Sequence, residues 1–98
     1  MELSKTLRGF SIIKFKDQYD NGCSLQKSSV MSPDCIWLGV DDANPQIMAS
    51  KTAEGGTGWV PFAIPSDVNL TTRMHLTQKQ VKELLPHLKR FARTGELS

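Results

Sequence analysis

Ninety-eight residues, with 39% apolar content and two cysteines, set the scale of one small domain with a thin core. No apolar run approaches the ~18 residues that cross a bilayer, and two cysteines are too few for a disulfide scaffold. The 12 basic and 10 acidic side chains give a formal +2 that conceals a split. Residues 1–70 carry 6 basic and 8 acidic groups, a net of −2, while residues 71–98 carry 6 and 2, a net of +4.

Met1-Glu2-Leu3-Ser4-Lys5-Thr6 has no apolar segment of the secretory kind. A single domain over 1–98 in a reducing cytoplasm is therefore expected, with Cys23 and Cys35 as free thiols.

From about Leu7 to Leu76 the pattern is strand-rich. Phe10–Lys16 is rich in β-branched and aromatic residues. Asp20-Asn21-Gly22 follows, and Asn-Gly is a strong hairpin signal because both central residues must accept positive φ. Along Cys23–Val30, Cys23, Leu25 and Lys27 share one face, while Ser24, Gln26 and Ser28 share the other. These two runs predict an antiparallel hairpin.

Ser32-Pro33-Asp34 breaks the chain before Cys35–Val40, a continuous apolar run of the kind that is covered on both faces. Asp41–Pro45 is turn chemistry, and Gln46–Ala49 predicts a short return strand. Thr52–Gly58 predicts a mobile glycine-rich loop. Trp59–Pro65 suits only an edge or irregular segment, since its prolines donate to no ladder. Leu70–Leu76 alternates Leu70/Thr72/Met74/Leu76 against Thr71/Arg73/His75, as a strand with one buried face does.

The helix comes last, over about 78–94. Thr77 and Gln80 have the spacing of a capping box, and Gly95 is placed for a left-handed stop. Val81, Leu84, Leu85, Leu88, Phe91 and Ala92 repeat at three and four residues and form one stripe. Pro86 removes a backbone hydrogen bond and falls on the polar side. The sum is an α+β fold: an antiparallel sheet of about five strands with a C-terminal amphipathic helix packed on it.

Cys23, Cys35, His75 and His87 are ligand types for zinc, but each pair is eleven residues or more apart, whereas structural sites pair ligands two to four residues apart. Strand cysteines more often fill core volume. His75 beside Ser24, Ser28, Ser29 or Cys23 lacks the strained-turn pattern of a hydrolase nucleophile, and no catalytic residue is assigned. Glu54-Gly55-Gly56-Thr57-Gly58 lacks the Gly-Lys-Ser/Thr ending of a phosphate loop and leads into Trp59 rather than a helix. No metal and no cofactor are implied.

Two polar clusters remain. Ser24, Gln26 and Ser28, with Ser29 at the end of the row, are unusual strand residues that either face water, the commoner arrangement, or line a polar pocket or interface. Arg73 and His75 lie opposite the buried side of their own strand, and Trp59 is an aromatic placed for a surface contact. Separately, Lys82, Lys89, Arg90 and Arg93 fall within ~100° of arc opposite the apolar stripe. Such a charged face is usually just solvated, and the modest net charge argues against a general nucleic-acid role.

Read together, Cys23-Ser24-Leu25-Gln26-Lys27-Ser28-Ser29, Ile36-Trp37-Leu38-Gly39-Val40 and Thr72-Arg73-Met74-His75-Leu76-Thr77 form an ordered set of blocks. Leu84-Leu85-Pro86, Phe91 and Thr94-Gly95-Glu96-Leu97 extend it. The set resembles a family of small, uncharacterised phage and prophage proteins over nearly the whole chain. The resemblance implies a phage accessory protein acting inside the host bacterial cell, and it brings no reaction and no residue roles.

Proteins of that kind often counter host defence. One expectation is a binding protein that sequesters a small anionic, nucleotide-like immune signal through Ser24, Gln26, Ser28, Ser29, Trp59, Arg73 and His75, as a homo-oligomer. The other is an inhibitor that docks on a host defence protein, such as a CRISPR-Cas nuclease, through Lys82, Lys89, Arg90 and Arg93 or the loop over 52–62.

Overall fold

The computed structural model describes residues 1–30 and 32–98. In chain order the elements are β1 (Leu3–Lys5), β2 (Ser11–Lys16), β3 (Gly22–Lys27), β4 (Cys35–Val40), β5 (Gln46–Met48), β6 (Trp59–Pro61), β7 (Arg73–Thr77) and α1 (Gln78–Thr94). The chain divides into two compact units, one made of Met1–Asp41 with Arg73–Ser98 and the other of Asp42–Thr72.

The first unit is an antiparallel sheet in the order β1-β2-β3-β4-β7, followed by α1. The α+β class and the five strands agree with the sequence pattern, but the fifth strand is a different one. Leu3–Lys5 pairs with β2, whereas Gln46–Met48 leaves the sheet and pairs with Trp59–Pro61 in the second unit. Three residues without alternation give β1 no periodic signal; its partner supplies the order. Pro61 is tolerated because a two-stranded ribbon has only edges.

The β2–β3 hairpin forms, with turn chemistry centred on Asp17 rather than on Asn-Gly. Asp17 Oδ1 accepts the backbone N–H groups of Tyr19 at 2.9 Å and Asn21 at 3.0 Å, and the left-handed residue is Asp20, φ 66°. The Asn21 backbone N–H foremost holds the Asp17 carboxyl below its ordinary range, against a smaller opposing effect of desolvation.

Register then sorts the side chains. Ile12, Gln26, Trp37 and His75 form one row across four strands, and Ser24, Gly39 and Arg73 form the next. On the opposite face Leu3, Ile13, Leu25, Leu38 and Met74 cross all five strands in a single apolar row. Alternation of successive residues between faces produces this segregation. Along β4 only Cys35 is buried and the rest are half-buried, so the run covered on both faces is not realised within one chain.

In the second unit the glycine-rich segment is closed by Ala49 N–H donating to the Gly58 carbonyl at 2.8 Å, with Ala49 buried beneath it. Gly55, Gly56 and Gly58 all have positive φ, which a side chain would strain.

The helix forms as the spacing predicts. Thr77 and Gln80 cap each other reciprocally, and Gly95 stops the helix in the left-handed region at φ 77°. Its packing is where expectation and structure part, because α1 has no buried residue and Leu84, Leu85, Leu88 and Phe91 are 42–55% exposed. The cause lies in the connection. β7 ends at Thr77 and α1 begins at Gln78, so no loop is available to fold the helix back across its own sheet.

Candidate functional site

Three neighbouring strands build the polar face of the first unit. β3 presents Ser24 and Gln26 at a two-residue period, with Ser28 next in the series just beyond it. β4 places Trp37 between Gln26 and His75, and Gly39 leaves space between Ser24 and Arg73.

The Trp37 and His75 rings stack with centroids 3.9 Å apart and planes 10° from parallel. The Arg73 guanidinium carbon lies 5.6 Å from the Trp37 ring centroid, within the reach of a cation–π contact. Arg73 Nη1 donates to Gln26 Oε1 at 3.2 Å, and His75 Nε2 and Ser28 Oγ are hydrogen-bonded at 2.9 Å. Arg73 and His75 of β7 therefore each reach across β4 to a partner from the row of Ser24, Gln26 and Ser28.

That row does not simply face water. Ser24 is 1% exposed and Ser28 is 2% exposed. Burial of hydroxyls is tolerable because both are bonded. Ser24 Oγ donates to Asp41 Oδ1 at 2.6 Å, a short charge-assisted bond, and Ser28 Oγ also accepts the Val30 N–H at 3.1 Å. The serines thus act as supports, and Gln26, Trp37, Arg73 and His75 are the groups they position.

Beside them runs an open groove of about 370 Å³ whose walls include Arg8, Phe10, Gln26, Ser29 and Trp37. Arg8 projects its guanidinium over Phe10, 5.5 Å from the ring centroid. Chemically this is a surface with two arginines near aromatic rings, amide and hydroxyl groups between them, and a depression alongside. Only one of the five N–H donors of Arg73 is engaged by Gln26, so the guanidinium keeps donors for an anion.

Of the residues picked out by sequence, Ser24, Gln26, Ser28, Arg73 and His75 come together, and Ser29 borders the groove. Trp59 stands in the second unit, on β6 opposite Met48 and 65% exposed. Trp37, Arg8 and Phe10 escaped sequence reasoning. Trp37 had the pattern of core, and only its register beside His75 places its ring on the polar face.

On α1, Lys89, Arg90 and Arg93 border a shallow depression of about 680 Å³ with Pro86 and His87. Lys82 is exposed on the same helix, and none of the four is in an ion pair among the described residues. Cys23 and Cys35 are buried on opposite faces of the sheet. Burial first, then the nearby Asp17 and Asp41 carboxylates, push the Cys23 thiol above its ordinary range. Cys23 therefore stays protonated and a poor nucleophile near neutral pH.

No family model, no curated protein and no solved structure matches the chain.

Proposed function

We propose that the chain is a phage-type accessory protein that binds, without transforming, a small anionic nucleotide-like immune signal on the Gln26–Trp37–Arg73–His75 face. Sequestering that signal in the host bacterial cytoplasm would blunt a defence response. The observation that carries the reading is Arg73, held near the Trp37 ring while donating to Gln26, beside a groove bordered by a second arginine.

A nucleotide offers phosphate, a flat base and polar base edges. Arginine suits the first, because its planar donors match phosphate geometry. Aromatic rings suit the second, with stacking worth about 1–3 kcal/mol per base. Gln26 and Ser29 suit the third. The groove volume is in the ~300–1,000 Å³ range of small-ligand sites. Its openness favours completion by a second copy.

Titration calorimetry against a panel of cyclic nucleotides tests this. Saturable binding of at least one member is expected, with affinity falling at least about tenfold in Arg73→Ala, a change of ~1.4 kcal/mol. Absence of heat with every member at a hundred micromolar would overturn the reading.

One observation favours a second reading. The unpaired cations Lys89, Arg90 and Arg93 cluster around an open depression and would suit an acidic surface on a host defence effector such as a CRISPR-Cas nuclease. Charge reversal at Lys89 and Arg93 should then abolish inhibition while the fold persists. Inhibition unchanged in that double variant removes this reading.

A further inference from the structure

Two apolar surfaces of the first unit are left open within one chain. One is the α1 stripe, where Leu84, Leu85, Leu88 and Phe91 are 42–55% exposed. The other is the sheet face crossed by Leu3, Ile13, Leu25, Leu38 and Met74, whose members are half-buried or exposed. We propose that α1 of one copy lies across this face of a second copy, and the reverse, giving a closed two-fold dimer.

Three arguments commit the occupant to a second copy of this chain. The first is fit in length. Seventeen helical residues at 1.5 Å each make a rod of about 25 Å. Five strands spaced ~4.8 Å apart make a sheet roughly 19 Å wide between its outer strand axes. The stripe therefore matches the full apolar row.

The second is area. Covering the stripe and an equal patch of sheet on both copies removes on the order of 1,400 Å² from water, within the ~1,200–2,000 Å² of a stable interface. A small cleft of about 190 Å³ already separates the start of the stripe, Val81, from Ile36 and Leu76 on the same sheet face, leaving room for an inserted side chain.

The third is charge. Residues 78–94 carry five cations and one carboxylate, so pairing two α1 helices would oppose two segments of net +4. Among the strand residues of the receiving sheet face the charged side chains are Lys5 and Lys27, and Lys27 is paired with Asp34 at 3.0 Å, so far less like charge is opposed there. A helix on the partner's sheet is the arrangement that buries the stripe without stacking like charges. Its basic side, opposite the stripe, stays in water.

The proposal stands apart from the ligand reading, and a photo-crosslinking experiment tests it directly. The full-length chain carrying benzoylphenylalanine at Phe91 is irradiated and the products are separated by size and mapped. Dimer-sized adducts to β2, β3 or β4 are expected. Adducts to α1 of the other copy, adducts within one chain, or none would overturn the arrangement. Sedimentation equilibrium of the unmodified protein provides the second measure. A dimer is expected at micromolar concentration, converted to monomer in Leu88→Glu/Phe91→Glu. If that variant does not fold, the wild-type melting temperature decides, because mass action makes it rise with protein concentration in a dimer. A melting temperature independent of concentration would overturn the proposal.

Discussion

The polar face of the sheet and the C-terminal helix are finished to different degrees. On the sheet face the deepest residues are hydroxyls, Ser24 and Ser28, and every one of them has a partner: Asp41, His75 or the Val30 amide. On the helix no residue of the apolar stripe is buried, and Leu84, Leu85, Leu88 and Phe91 are exposed. Burying polar groups costs free energy unless each is bonded, so a fully bonded polar layer is a constraint that packing alone does not require. An exposed stripe is the reverse, an ordinary packing surface that the chain itself leaves unburied. The difference separates a face whose side chains are held in place by hydrogen bonds from a face that is left exposed.

The most disruptive change to the sheet side should be Trp37→Ala. It removes the ring against which His75 and Arg73 are held, and about 3 kcal/mol of stability should be lost in chemical denaturation. Leu88→Ala sharpens the helix side. If the stripe is solvated, the cost is a few tenths of a kcal/mol; the dimer predicts about 2 kcal/mol, measurable in the same denaturation series. Next comes Ser24→Ala, which leaves the Asp41 carboxylate without its short hydroxyl donor. About 1.5 kcal/mol of destabilisation is expected, with the β3–β4 amides exchanging faster in hydrogen exchange.

Much of this fold can be read from residues in order. Thr77, Gln80 and Gly95 announce both ends of α1 through local hydrogen bonds and a single backbone conformation, and such signals need no tertiary context. The β2–β3 hairpin and β7 are legible from two-residue alternation. What stays hidden depends on register or connection. Three residues of β1 carry no period, and β5 has strand chemistry but nothing to say which sheet it joins. The apolar stripe predicts that α1 is covered; that it stays exposed within the chain follows from the absent linker after Thr77.

The site divides in the same way. Gln26, Arg73 and His75 stood out as polar groups on strands, yet the serines were not readable as buried supports. Hydroxyl burial depends on Asp41 and His75, which lie 17 and 47 residues away. Trp37 is the largest omission, since an aromatic residue inside an apolar run gives no sign that its ring stacks on a histidine.

A smaller test again compares the two regions. Thr77→Ala removes the hydroxyl that accepts the Gln80 amide and should cost ~1 kcal/mol. Helical circular dichroism should fall while the Trp37 environment is unchanged. The smallest effect concerns pH. Because the Asp17 carboxyl is held below its ordinary range when folded, its stabilisation is present above that range and is lost as pH falls through the lowered value. The melting temperature should decline on acidification, and Asp17→Asn should flatten part of that slope.

The central claim, that the Gln26–Trp37–Arg73–His75 face receives an anionic nucleotide-like ligand, is most directly tested by fluorescence of Trp59→Phe, which leaves Trp37 as the sole tryptophan. Titration with the cyclic nucleotides that show binding heat should change Trp37 emission saturably, and adding Arg73→Ala should remove the change. Emission that stays constant through saturation, or a response untouched by Arg73→Ala, would contradict it.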